Sequence, residues 1–220
     1  MRPPGASSLI GGGMVLALLA AGCTSPDGGG TGATPDPGTG AVRLAAVGDS
    51  ITEADSPDFA AGQVGEESWV RYVVGEDVAL VGGWARWGAT TAEMADHVEP
   101  EDADVLVVLA GTNDLGHTPH ATTADHIRDL VGTVGADEVV LASVPPLDHS
   151  PRAAAELNAS LEELADAEDW RWVDAAAEVR TTEGLFADGM TSDGVHPTRD
   201  GAQALGGAIR QAVLDVADAS

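Results

Sequence analysis

The chain has 220 residues, with 36 acidic side chains against 10 basic ones and a formal charge of −26. A surface this acidic repels phosphate backbones and argues against nucleic-acid binding, while an apolar content of 44% is ordinary for a globular protein. The sole cysteine, Cys23, rules out an internal disulfide and a cysteine-built zinc cluster.

Arg2 is the only charged side chain before Asp27. Residues 9–21 form a short apolar run, and Leu19-Ala20-Ala21-Gly22-Cys23 leads from it into polar sequence. A positive start, a short apolar core and small residues before a cut describe a secretory signal over residues 1–22. The run is too short and too broken by glycine for a membrane span. Its ending resembles the lipobox of bacterial lipoproteins, in which the cysteine becomes the lipidated first residue of the mature chain; Ala20 stands where that pattern prefers Leu. The resemblance implies a membrane contact through a lipid on Cys23 and a place on the outer face of a bacterial membrane. Plain secretion with a stray cysteine is the alternative. Residues 23–40 hold Gly, Pro, Thr and Asp and nothing large and apolar, so they should form a flexible tether. The folded domain is expected over residues 41–220.

From residue 41 apolar runs alternate with helical patterns. Residues 42–47 form the first strand, closed by Gly48-Asp49-Ser50. A serine at a strand-to-helix turn presents its hydroxyl at the edge of the sheet, and its N–H can face an anion; a helix cap is the plainer role. A polar stretch, residues 53–67, follows as the candidate substrate-facing loop, and residues 68–75 read as a short helix with Trp69 in the core. The second strand, residues 77–81, leads into Gly82-Gly83-Trp84-Ala85-Arg86-Trp87-Gly88. There Gly88, without a Cβ, would let the backbone approach a ligand closely. Residues 91–98 suggest a short helix. The clearest strand, residues 104–110, ends in Gly111-Thr112-Asn113-Asp114, where Asn113 offers a neutral amide donor or an Asx-turn.

Helices are expected over residues 122–134 (Ile127, Leu130, Val131 and Val134 on one face) and 151–166 (Leu157, Leu161 and Leu164). Strands are expected over 138–144 and 170–173, with Trp172 inward. A last helix over 198–217 presents Leu205, Ile209, Val213 and Val216. Continuous apolar strands suit a sheet covered on both faces. The fold class is therefore α/β: a three-layer α/β/α sandwich on a mainly parallel five-stranded sheet, with sites at the carboxyl ends of the strands. Just before the last helix stands Thr191-Ser192-Asp193-Gly194-Val195-His196-Pro197. A loop can set the Asp193 carboxylate on one imidazole nitrogen of His196 and leave the other free for a hydroxyl, making a general base and its orienter.

In order, these four pieces resemble the SGNH hydrolase (GDSL esterase/lipase) family, whose blocks carry Ser, Gly, Asn and His, here Ser50, Gly88, Asn113 and His196. The resemblance implies Ser50 as nucleophile, His196 as base and Asp193 as its support. It also implies an oxyanion hole from the Ser50 and Gly88 N–H groups and the Asn113 amide. The second block departs from the family pattern, with Gly83 where Asn is usual and Ala85 where the first Gly is usual. Trp84, Arg86 and Trp87 flank the catalytic glycine as candidate substrate-lining residues. Trp87 could narrow the acyl pocket, or both tryptophans could pack beneath the loop.

The implied activity is hydrolysis of carboxylic esters through an acyl-serine, without metal or cofactor, on short-acyl (acetyl) esters of carbohydrates or small molecules, by a monomer. Lysophospholipase or thioesterase activity, or a non-catalytic surface-binding lipoprotein, are the alternatives. Asp49 and Asp114 read as loop ties accepting backbone N–H groups. His117 and His120 make a poor metal pair across Pro119. His97, His126 and His149 read as surface or helix-end side chains.

Overall fold

The computed structural model describes residues 40–219. The expected signal, Cys23 with its lipid anchor, and the tether up to residue 39 lie outside them. Five strands, β1 (Val42–Gly48), β2 (Val78–Ala85), β3 (Val105–Leu109), β4 (Glu138–Ala142) and β5 (Arg171–Val173), form one sheet in the order β2-β1-β3-β4-β5. Every neighbouring pair is parallel. Helices α1 (Ser50–Glu53), α2 (Val70–Val73), α3 (Thr91–His97), α4 (His120–Val134), α5 (Pro151–Glu168) and α6 (Arg199–Ala217) complete the α/β fold. The sequence α3, α4, α5 packs along one face of the sheet, and α2 and α6 pack together on the other.

Burial explains why these segments take these forms. All five residues of β3 are buried, as are Leu44 to Val47 of β1, because both strands have helices above and below. On the helices the buried positions recur at three- and four-residue intervals: Ile127, Leu130 and Val134 on α4, and Leu157, Leu161 and Leu164 on α5. Their ends follow local chemistry. Thr90 and Glu93 form a reciprocal capping box at α3, Pro151 opens α5, and Gly135 in the left-handed region closes α4.

Most expected boundaries shift by one or two residues, and two elements change more. The predicted helix over 68–75 shrinks to the single turn α2, although Trp69 is fully buried as expected and donates its indole N–H to the Thr52 hydroxyl (3.0 Å). The second strand does not stop at Val81 but continues to Ala85. Val81 is an extra residue in the pairing, since Leu44 sits opposite Leu80 and Ala45 opposite Gly82. Gly83 follows at φ 117°, and a Cβ there would collide with the Ala46 backbone, so no side chain could be accommodated. Its N–H donates to the Glu101 carboxylate (3.0 Å). Two glycines expected to lie beyond the strand are therefore strand residues beside a bulge.

Candidate active site

The sheet order places the first turn after β1 between the turns after β2 and β3, so three loops from distant parts of the chain converge at one edge. Asp49 ends the β1 turn and caps α1, its Oδ1 accepting from the Ile51 N–H (3.0 Å). Ser50 is the first residue of α1 and is 7% exposed. The Gly88 backbone sits at φ 72° in open space, so glycine is required there by conformation and not by crowding. Among the described residues, neither the Ser50 N–H nor the Gly88 N–H has a hydrogen-bond partner.

Before α6 the chain doubles back as a fixed loop. Thr191 and Pro197 form a bridge, the Thr191 hydroxyl donates to the His196 carbonyl (2.7 Å), and the Thr198 N–H donates to the Met190 carbonyl (2.9 Å). Asp193 Oδ1 accepts the N–H groups of Val195 (2.9 Å) and His196 (2.8 Å). Its Oδ2 lies 2.7 Å from His196 Nδ1, and His196 Nε2 lies 3.0 Å from Ser50 Oγ. A carboxylate can only accept, so Nδ1 carries the proton and Nε2 is left to accept from the serine hydroxyl. Desolvation pushes the Asp193 carboxyl up, but the imidazole N–H and the two backbone N–H groups outweigh it and hold it well below the ordinary carboxylate range. The arrangement can therefore deprotonate a hydroxyl, keep the base in its working tautomer, and stabilise the imidazolium that results.

Asn113 lies between the Ser50 and Gly88 turns. Its amide nitrogen donates to the Ala89 carbonyl (3.0 Å) and to Asp49 Oδ2 (3.3 Å). For the amide to serve an oxyanion, one of these bonds must give way, and the longer one to Asp49 is the weaker. Asp49 is fully buried, and burial pushes its carboxyl up to about 6; the Ile51 N–H and the nearby His196 pull the other way. Asp114 takes the Thr91 N–H (2.9 Å) and hydroxyl (2.7 Å), pinning the Asn113 turn to the start of α3. Both aspartates are loop ties, as their positions suggested.

The three residues flanking Gly88 part company. Trp84 stacks on His97 of α3 with ring centroids 5.4 Å apart, while Arg86 lies over Trp84 and pairs with Glu93. These two face α3. Trp87 alone reaches the Ser50 cluster: it is 56% exposed and its ring lies 4.8 Å from that of His196. Sequence reasoning missed Thr191 as the brace of the His196 loop. It also missed His126, half-buried with Nδ1 3.1 Å from the Thr91 hydroxyl and not a free surface side chain. A Thr or His at such a position has no pattern that marks it before the partner is known.

A model of the GDSL-like lipase/acylhydrolase family matches residues 46–204. The chain belongs to this family. As a GDSL-like acylhydrolase it is an enzyme acting on esters, and the matched span holds Ser50, Gly88, Asn113, Asp193 and His196. Solved structures of similar fold include a GDSL-like lipase from Bacteroides thetaiotaomicron, 22% identical, with a TM-score of 0.65 over 84% of this chain and 92% of that one. Another is a catalytic mutant of an acetylxylan esterase from Geobacillus stearothermophilus, 18% identical, with a TM-score of 0.64 over 78% of this chain and 94% of that one. No curated protein matches the chain in sequence. Among the described residues no helix is long and apolar enough to cross a membrane, and no group of three or more His, Cys, Asp or Glu could hold a metal ion.

Proposed function

We propose that this acylhydrolase is a serine esterase that removes short acyl groups, acetyl foremost, from carbohydrates or small molecules. The observation that carries the reading is the unbroken chain from Ser50 Oγ through the His196 ring to Asp193, at 3.0 and 2.7 Å. In the first step Ser50 Oγ bonds to the ester carbon as its proton passes to His196 Nε2, and the carbonyl electron pair moves onto oxygen. That oxyanion is held by the Ser50 and Gly88 N–H groups and the Asn113 amide. Collapse expels the alcohol, which leaves with the proton from Nε2. Water then repeats the sequence on acyl-Ser50, releasing the acid and restoring the serine. Every proton move is assigned to a side chain of this chain.

The short-acyl part of the proposal rests on Trp87, whose ring stands beside His196, where it would limit the space left for an acyl group on Ser50. The likeness to an acetylxylan esterase supports the same substrate class. A panel of p-nitrophenyl esters of rising chain length, run beside acetylated sugars and lysophospholipids, tests it. Turnover should be best at two to four carbons. Best turnover at eight carbons or more would reject the short-acyl reading in favour of a lipase or lysophospholipase. We further propose that the enzyme works as a monomer on the outer face of a bacterial membrane, held by a lipid on Cys23. Cys23→Ala should then release it from the membrane fraction into the medium.

A further inference from the structure

Trp87 makes three contacts that join separate parts of the Ser50 cluster. Its ring packs on the imidazole of His196 with centroids 4.8 Å apart and planes inclined at 33°. Its indole N–H donates to the carbonyl of Ala54 (3.0 Å), the residue that closes the helix bearing Ser50. Its backbone N–H donates to the Glu53 carboxylate on the same helix. Ala54 is held at φ 46° and ψ −129°, a conformation costly for any residue with a Cβ, so the chain is bent at the point where the indole is bound. The next residue is Gly88. A half-exposed tryptophan gains little from burial, yet this one is fixed by two hydrogen bonds and a ring contact.

We propose that Trp87 is a positioning residue for His196: an aromatic clamp, fastened to the nucleophile's helix, that steadies the imidazole against Ser50 and stabilises its protonated form. The inference rests on the serine-esterase reading, in which His196 becomes a cation each time Ser50 gives up its proton. The negative face of an aromatic ring attracts that cation by about 0.5–2 kcal/mol, depending on exposure. The stabilisation is greater in the transition state than in the ground state, where the imidazole is neutral, so it lowers the barrier.

The test uses Trp87→Phe, which keeps a ring, and Trp87→Leu, which keeps apolar bulk without one. In Trp87→Leu the acid limb of kcat/KM against pH should move about 0.4 to 1.5 pH units toward acid, with the plateau down about 2- to 30-fold. Trp87→Phe should keep the limb in place. A role in packing alone would let Leu serve as well as Phe and would leave the limb unmoved in both, which would overturn the proposal. A second reading needs no turnover. Imidazolium quenches indole emission, so the part of the emission lost in Trp87→Phe should dim as pH falls in the otherwise unaltered enzyme, and should not in His196→Gln. Emission indifferent to pH, or the same dimming in His196→Gln, would equally overturn the clamp. If no ester were cleaved at all, the esterase reading would fail while the emission titration still decided the contact. Circular dichroism of each variant checks that the fold persists.

Discussion

Replacing Asn113 by Ala separates two roles that its geometry superimposes. The amide nitrogen is bound to the Ala89 carbonyl and, over 3.3 Å, to the buried Asp49 carboxylate. If it turns toward the oxyanion in the transition state, its removal costs about 2.7–4 kcal/mol of barrier, or roughly 100- to 1000-fold in kcat. The same change strips Asp49 Oδ2 of a partner, and a buried acceptor left unsatisfied costs about 1–3 kcal/mol of stability. For a domain of this size that lowers Tm by roughly 2–10 °C. The two effects are read apart by measuring kcat on p-nitrophenyl acetate well below both melting points and Tm by calorimetry. The expected result is a large fall in kcat, with KM changed little, and a modest fall in Tm. A kcat within about five-fold of the unaltered enzyme, with Tm lowered as calculated, would refute the donor role and leave Asn113 a strut between the Ser50 and Gly88 turns.

The other expectations follow from the same contacts. Asp193→Asn should keep the fold but lower kcat by on the order of 10³- to 10⁴-fold, because the amide no longer enforces the tautomer with Nδ1 protonated; stopped assays at pH 8 measure it. Activity should decline toward acid as His196 takes a proton and can no longer act as base, and a rate constant across pH 5 to 8 would contradict the assignment. Asp49→Asn gives a stability signature. Its carboxyl is raised to about 6 in the fold by burial, so the favourable contribution of the neutral form is complete below the ordinary carboxyl value near 4 and is lost as pH rises through about 6. The asparagine variant escapes that loss. Its stability relative to the unaltered enzyme should therefore improve by about 2 kcal/mol between pH 4 and pH 7, read by urea unfolding at each pH.

Much of this enzyme is legible before any coordinates because a parallel sheet covered on both faces demands uninterrupted apolar strands, and Val105 to Leu109 or Leu44 to Val47 can hardly be read otherwise. Strand ends in such a sheet collect at one edge, which brings Ser50 and Asn113 together, while the His196 loop is joined to them by the resemblance of the four blocks to the SGNH family. What stayed hidden depends on contacts between segments. Gly82 and Gly83 fall beyond the expected strand, and only the closeness of the Ala46 backbone explains glycine inside a strand. Trp84 and Trp87 are three residues apart and chemically identical, yet one stacks on His97 and the other lies tilted against His196, and only those partners from other segments distinguish them. The bond from Asn113 to Asp49 was likewise beyond reach, since nothing in the sequence pairs two residues 64 apart.

The proposed ester cleavage requires that Ser50 attack the ester and become acylated. Intact-mass spectrometry after exposure to a fluorophosphonate, followed by peptide mapping, tests it most directly. A single adduct on Ser50 is expected, absent from Ser50→Ala and much slowed in His196→Gln. An unlabelled enzyme, or a label that persists in folded Ser50→Ala, would contradict it.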